Sequence, residues 1–569
     1  MCDKLVFDLS QEVEGSPNVF VRKDWLNILD NMNGNYQANQ SIIDTSQLTN
    51  SNKWMSYREA YLTVPMLLSG WLSTTAAKAP LDYSIGLKNW FGSIIHSITV
   101  EYNGTTIIQQ TPFINMWNSF KLLTSFSYQD VLSQGSTIGF YPDDPLSWKF
   151  NSTASVNGIG FSNNKIKEDK YFSLSNSLEV NDYNTINYGL FNRIRNIAFR
   201  PENIKGGSTI LVSTGLTQDL TSQLWKSQLV KRAGNTTTDY ASIQYSILGV
   251  IHLKHLCDFF DKLPLLKGAF MKITMNLNNS SATITCAPDG AGAPDLMTVA
   301  AGGVNVPVGG ILPFMVPSTD STTSTLWLNN VDVSYTVNLS IGDKMIGSVA
   351  PNGANIGTGK VGQNILLNIP AYTFNPTFEE AYLSSSPKIV KYTDVYQYTV
   401  NVPSAGNINT LITNGIANIK SVLVIPFYAS SSNGTPFSQY RSPFDSAGAG
   451  TTGACIELNN FQIQVSGQNA IYNTQRYSYE AFINQLYGEN AVNGGLTDGL
   501  TSGLIDYLGW QNAYHYYYVN VERMLPVEKS VPKSIQLIAN NINGKALELM
   551  VFVEYENEMR FDLYTGARV

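Results

Sequence analysis

The sequence predicts an all-β chain built as two consecutive sandwiches of about eight strands each. Three observations predict it. A strand–turn–strand–helix unit occurs twice. Four landmarks recur in the same order in both halves. The composition is that of a β protein whose surface is hidden in contacts.

The first unit is SITVEYNGTTIIQQTPFINMWNSFKLL, residues 97–123. His96, Ile98, Val100 and Tyr102 alternate with Ser97, Thr99 and Glu101, the period of a strand with one buried face. Asn103-Gly104 tolerates positive φ at both positions and suits a tight hairpin. A second strand runs through Ile107 and Ile108. Thr111 is placed to cap a helix beginning at Pro112. Phe113, Met116, Trp117 and Phe120 then form one apolar stripe at i, i+3, i+4 and i+7.

The second unit lies far downstream. Phe461, Ile463 and Val465 alternate with Gln462, Gln464 and Ser466, followed by a turn at Gly467-Gln468-Asn469 and a short strand through Ile471 and Tyr472. Ser478 is placed to cap a helix bearing Tyr479, Phe482, Ile483 and Leu486. Two such units in one chain suggest duplication.

The four landmarks are an opening strand with a proline, the hairpin with its helix, a Leu-Pro segment and a long alternating last strand. Pro65 pairs with Pro370, Leu263-Pro264 with Leu525-Pro526, and LWLNNVDVSYTVNLS with ALELMVFVEYENEMRFDLY. Pro65 favours an edge or a bulge for its strand. Further strands are predicted through Tyr392–Val400 and Ser421–Phe427. The expected division is an arm over 1–53, in which Trp25, Ile28 and Leu29 form one or two helical turns ending near Asn33-Gly34 and the remainder has few apolar anchors; a first sandwich over 54–345; a Gly-rich linker over 346–363, with 287–317 as the rival boundary; and a second sandwich over 364–569. The Asn-, Ser- and Gly-rich stretches about 125–245 and 429–455 read as loops projecting from the scaffold.

The 569 residues are too many for one ordinary core. Charged residues make up 14% and aromatics 11%, a balance suited to surfaces covered by neighbours. The net charge of −7 argues against a protein that coats nucleic acid directly. Cys2, Cys257, Cys286 and Cys455 show no CxxC spacing, so a disulfide framework is not expected. The opening MCDKLVFDLSQEVEG lacks an apolar signal core, and no stretch suffices to span a membrane. Together these predict synthesis inside a cell. N-x-S/T sequons, for example at Asn103, Asn151 and Asn338, then read as unmodified turn residues.

Candidate chemistry is sparse. His252, His255 and Cys257 lie close in sequence, but a metal would need a fourth ligand and a defined geometry, so a structural role is expected. Asp143-Asp144 and Asp258/Asp261 read as turn-capping carboxylates. No GxSxG, HExxH or phosphate-binding loop is present. Tyr514 to Tyr518, broken by His515, reads as a strand packed on both faces, with a sugar-stacking surface as the alternative.

Several segments together resemble the major capsid proteins of tailless icosahedral double-stranded DNA viruses, nearest to those of polinton-like viruses and virophages. They are VEYNGTTIIQQTPFINMW, LPLLKGAFMKITMNLN, IPAYTFNPTFEEAYLS, NGIANIKSVLVIPF, YRSPF and SIQLIANNINGKALELMVFVEY. The resemblance implies two consecutive eight-stranded jelly-roll sandwiches, a double jelly roll, with short helices in loops. It implies a homotrimeric, pseudo-hexagonal capsomer that tiles a shell, with penton and minor capsid proteins as further partners and the virion as location. Missing ligand spacing and nucleophile context predict no catalytic activity, metal or cofactor. Phe113, Met116, Trp117, Phe120, Tyr479, Phe482, Ile483 and Leu486 are then structural packing residues. A lectin-like or glycan-active sandwich and a virion spike or fibre subunit are the alternatives.

Overall fold

The structure, a computed structural model, describes residues 18–36, 38–72, 86–143, 189, 192–193, 196, 229–231, 241–289, 293–315, 333–342, 364–430, 438–443, 456–471, 476–486, 502–512, 514–522 and 530–569. In chain order the strands are β1 (Phe20–Leu29), β2 (Gln40–Asp44), β3 (Trp54–Met55), β4 (Tyr61–Leu72), β5 (Gly86–Leu87), β6 (Ile95–Tyr102), β7 (Thr105–Ile108), β8 (Leu229–Lys231), β9 (Ala241–His252), β10 (Met271–Leu277), β11 (Ser280–Asp289), β12 (Ala293–Asn305), β13 (Phe314–Met315), β14 (Val333–Ile341) and β15 (Leu366–Phe374). They continue with β16 (Lys388–Val402), β17 (Gly406–Ile416), β18 (Ile419–Tyr428), β19 (Leu458–Val465), β20 (Gln468–Asn469), β21 (Tyr517–Asn520), β22 (Lys533–Asn541) and β23 (Leu547–Phe561). The helices are α1 (Ile114–Ser125), α2 (Tyr128–Ile138), α3 (Leu253–Leu256), α4 (Asp258–Lys262), α5 (Pro376–Leu383), α6 (Tyr479–Leu486) and α7 (Tyr507–Asn512).

The last eight strands form two four-stranded antiparallel sheets, β16-β23-β18-β21 and β17-β22-β19-β20. Counted from one to eight, these orders are 1-8-3-6 and 2-7-4-5. Nearly every step along the chain crosses from one sheet to the other. That is a jelly roll.

The same order occurs earlier. β1-β15-β4-β9 is one sheet and β2-β10-β6-β7 the other. With β1, β2, β4, β6, β7, β9, β10 and β15 counted in sequence, the orders are again 1-8-3-6 and 2-7-4-5. The fold is a double jelly roll. β11, β12 and β14 are an insertion between the seventh and eighth strands of the first roll; they extend its first sheet beyond β4.

Alternation builds the core of each roll. Ile28, Leu367, Leu62 and Ile251 are cross-strand neighbours facing inward, each at most 2% exposed. In the second roll Val553, Val422 and Val519 form a corresponding row, each 0% exposed. Burying each such side chain contributes about 1.5–3 kcal/mol.

Several expectations are corrected. Residues 20–44, expected within an arm, supply the first two strands of the first roll. β1 holds Trp25, Ile28 and Leu29, expected in helical turns; as an edge strand it buries only Ile28 fully, so its apolar residues show no strand alternation. β15, expected to open the second roll, closes the first by pairing along its length with β1. β14 flanks β4 and is therefore not the closing strand. The stretch 287–317, the rival boundary, contains the whole of strand β12. The stretch about 125–245 contains α2 and the start of β9; residues 346–363 and most of 429–455 lie outside the described residues.

Pro65 is not on an edge or a bulge. β4 is interior, with β9 on one side and both β14 and β15 on the other. The Pro65 carbonyl accepts from the Gly342 N–H at 2.8 Å, so its missing donor faces the same edge. There, β15 pairing ends at Thr63 and β14 pairing begins at Met66. The proline sits in the break between two partners, where a ladder donor is dispensable.

Candidate functional site

The two rolls meet along a seam built on α1. The hairpin leading into it forms as the sequence predicts, with Asn103 at φ 47° and Gly104 at φ 79°. The helix start differs. Thr111 is buried and its hydroxyl donates to the Val395 carbonyl of β16 at 2.6 Å, so it ties one roll to the other instead of capping. Phe113 takes the N-cap position at φ 57°, a left-handed conformation rare for an aromatic residue. Its ring packs between His96 at 5.0 Å and Tyr440 of the second roll at 5.6 Å.

Met116, Trp117 and Phe120 are buried on α1. Trp117 lies 6.1 Å from Phe552 on β23, and Phe120 lies 5.1 Å from Tyr516 and 5.4 Å from Tyr518, so the helix packs on the second roll as well as on β6 of the first. An apolar stripe specifies that a helix face is buried; it carries no information about which surface covers it.

Polar contacts reinforce the seam. The Lys121 ammonium sits 3.4 Å from the Glu554 carboxylate, which is 2% exposed and also accepts from the Ser421 hydroxyl at 2.7 Å. Burial pushes the Glu554 pKa up, but Lys121, Ser421 and Lys420 outweigh it and hold it below the ordinary value. Asp394, also buried, accepts from the Tyr555 hydroxyl at 3.0 Å, the Val395 N–H at 2.8 Å and the Gln109 N–H of the first roll at 3.4 Å. Burial pushes its pKa up to about 6. Asp258 accepts from the Thr393 N–H at 3.0 Å. A cavity of about 320 Å³ lies among these groups, lined by α1, α3, α4, β7 and β16 residues including Trp117, Lys121, Cys257 and Asp394.

Two further contacts pin the rolls together. The buried Lys88 donates to the Ser442 carbonyl at 2.7 Å. At the chain's end, the Gly566 carbonyl accepts from the Tyr102 hydroxyl at 2.5 Å and from the Asn103 side chain at 3.1 Å. The C-terminal segment thus holds the first roll's hairpin.

The second helix is placed differently. Ser478 caps α6, accepting from the Ala481 N–H at 3.3 Å. Phe482 and Leu486 are buried, whereas Tyr479 and Ile483 are half-buried. Phe482 and Tyr479 pack on Trp510 of α7, at 6.2 Å each, within the second roll. The hairpin before it turns at Ser466-Gly467, φ 51° and 81°, one residue earlier than expected.

The histidines lie at the end of β9 and in α3. His252 and His255 stack edge to face at 5.4 Å, and His255 also meets Trp90 and Phe126. Burial, with His252 and Lys254 beside it, lowers the His255 pKa to about 3, and burial with Asp394 and Asp258 nearby raises the Cys257 thiol. Among the described residues no three metal-ligating side chains converge. Tyr514, Tyr516, Tyr517 and Tyr518 are each at most 3% exposed, so the run forms core. Sequence reasoning missed Arg193. It is 1% exposed, pairs with Asp143 at 2.6 Å and donates to the Leu87 and Tyr141 carbonyls. Arg193 stands near Arg195 and Arg200, and nothing in FNRIRNIAFR marks it as the one that pairs with Asp143.

No family model and no curated protein match the chain. Solved structures similar to it are viral capsid proteins. A Sputnik virophage chain matches at TM-score 0.46 and 9% identity, over 97% of this chain and 88% of that one. The mavirus major capsid protein matches at TM-score 0.42 and 11% identity, over 98% and 90%. The Faustovirus major capsid protein matches at TM-score 0.40 and 9% identity, over 94% and 90%. Among the described residues no helix is long and apolar enough to cross a membrane.

Proposed function

We propose that the chain is the major capsid protein of a tailless icosahedral double-stranded DNA virus. It assembles as a homotrimer whose six rolls make a pseudo-hexagonal capsomer, and capsomers tile the shell of the virion together with penton and minor capsid proteins. The supporting observation is the same eight-strand order carried twice and fused side by side through a buried seam. Two similar rolls give one chain two similar lateral surfaces, and three chains about a threefold axis then present six near-equivalent sides. The division that fits the pairing is a first roll from 18 to 374 and a second from 388 onward, joined by α5. The role is structural, without a catalytic group, metal or cofactor. Phe113, Met116, Trp117 and Phe120 serve to join the rolls, and Tyr479, Phe482, Ile483 and Leu486 to close the second.

The test is the solution mass of the purified chain. Light scattering should give three times 62.7 kDa at micromolar and at nanomolar concentration, and electron microscopy should show hexagonal outlines. A mass of one chain at every concentration would overturn the reading.

A further inference from the structure

The cavity in the seam has acidic groups that are all engaged and donors that are not. Asp394 accepts from Tyr555, Val395 and Gln109. Asp258 accepts from the Thr393 N–H at 3.0 Å and from its hydroxyl at 3.4 Å. Asp261 pairs with Arg58 at 3.1 Å and with Lys262 at 3.5 Å. The Lys121 ammonium faces Glu554. Against these, the side-chain nitrogen of Asn118, on α1, is buried without a hydrogen-bond partner, and the residue is only 4% exposed. Lys254, on α3, also lines the cavity; it makes no hydrogen bond or ion pair among the described residues. Nδ1 of His255, the next residue, is buried and unpartnered too. Burial keeps that ring neutral, so Nδ1 can carry its one N–H. A buried donor left unmade costs free energy that an accepting guest recovers. The remaining wall is apolar, with Ile98, Ile108, Ile114, Trp117 and Leu122.

We propose that the seam cavity binds a small monocarboxylate with an apolar body. The carboxylate accepts from the Lys254 ammonium and the Asn118 amide, and the body lies against the isoleucines and Trp117. At about 320 Å³ the space falls at the lower end of the range for small-molecule sites. The acidic residues of the wall already hold donors, so a cationic guest would have to compete for acceptors in use, whereas an anionic one meets donors that are free. The wall comes from both rolls: α1, α3, α4 and β7 belong to the first and β16 to the second. The guest therefore binds the docked pair of rolls and stabilises their junction by mass action. The inference is independent of how copies of the chain assemble.

The probe is octanoate, with octylamine as the control of equal body and opposite charge, titrated calorimetrically into the full chain. Octanoate should bind at least about tenfold tighter than octylamine, the scale of a charge-assisted hydrogen bond, and should raise the melting temperature. Lys254→Met should weaken octanoate binding by about tenfold or more and leave the melting temperature of the unliganded chain unchanged, because Lys254 is exposed. Asn118→Leu should weaken binding by about threefold or more without lowering that melting temperature, because the amide nitrogen it removes has no partner within the protein. A purely structural role for Asn118 would give the opposite split, a lower melting temperature with unchanged affinity. If Asn118→Leu does not fold, Lys254→Met decides. Absence of octanoate binding, equal affinity for octanoate and octylamine, or octanoate affinity unchanged by Lys254→Met would each overturn the proposal.

Discussion

Replacing Lys121 by Met should expose the energetics of the seam. The substitution keeps a side chain of similar length and removes the ammonium that faces Glu554 at 3.4 Å and lies 5.1 Å from the Trp117 ring centre. Glu554 then stays buried with Ser421, Thr393 and the charge of Lys420 as its remaining help. Removing one partner of a buried pair costs about 3–5 kcal/mol. Lys121 is 31% exposed and Lys420 persists, which puts the expected loss near the low end, about 3 kcal/mol. The loss should depend on pH. In the parent, the Glu554 pKa is depressed, so its contribution is present at neutral pH and is lost as pH falls through the folded value. In Lys121→Met the burial cost dominates and the folded pKa rises above the unfolded one. The penalty is then full at neutral pH and is relieved as pH falls through that raised value. Adding Glu554→Gln should recover all but about 1 kcal/mol, because an amide needs no counter-charge. The assay is urea unfolding of parent, both singles and the double at fixed protein concentration, at pH 7.5 and 4.5. A Lys121→Met loss that is the same at both pH values and unchanged by Glu554→Gln would refute the reasoning.

The other predictions concern the same region. With Asp394 at about 6 against an ordinary 3.8, the parent should lose about 2 kcal/mol relative to Asp394→Asn as pH rises from 4 to 7; parallel stability–pH curves for the two proteins would contradict this. Trp117→Ala should cost about 3–5 kcal/mol by chemical unfolding, because it empties a packed site between the rolls. Gly503→Ala should destabilise by about 1–3 kcal/mol, since φ is +65° there and a Cβ would lie 2.5 Å from the Thr124 carbonyl oxygen; an unchanged melting temperature would show that the contact with α1 is slack.

Much of the local structure is legible in the residues. Alternation places β6, β18 and β23, and Asn103-Gly104 dictates its turn through the positive φ it tolerates. The tyrosine run is core because both parities are apolar there. The duplication itself is legible as repeated order. What alternation leaves open is partnership. β15 has the pattern of a strand with one buried face, and nothing in LLNIPAYTF states that its ladder partner is β1, more than three hundred residues upstream. β1 in turn shows no alternation, because an edge strand that buries only Ile28 fully leaves its other positions unconstrained. Strand β17 is passed over for the same reason, being an edge strand with half its residues exposed.

The seam shows the limit most clearly. The stripe Phe113, Met116, Trp117, Phe120 fixes that one face of α1 must leave water, and any apolar surface satisfies that demand. That the surface is Phe552, Tyr516 and Tyr518, and that Thr111, Lys121 and Gln109 bond across it, is decided by how two finished rolls come together. Local periodicity is set by backbone geometry a few residues at a time, so the sequence alone determines strands, turns and the repeat. Long-range pairing and the covering of exposed faces depend on shape matched over hundreds of residues, and these the tertiary structure decides.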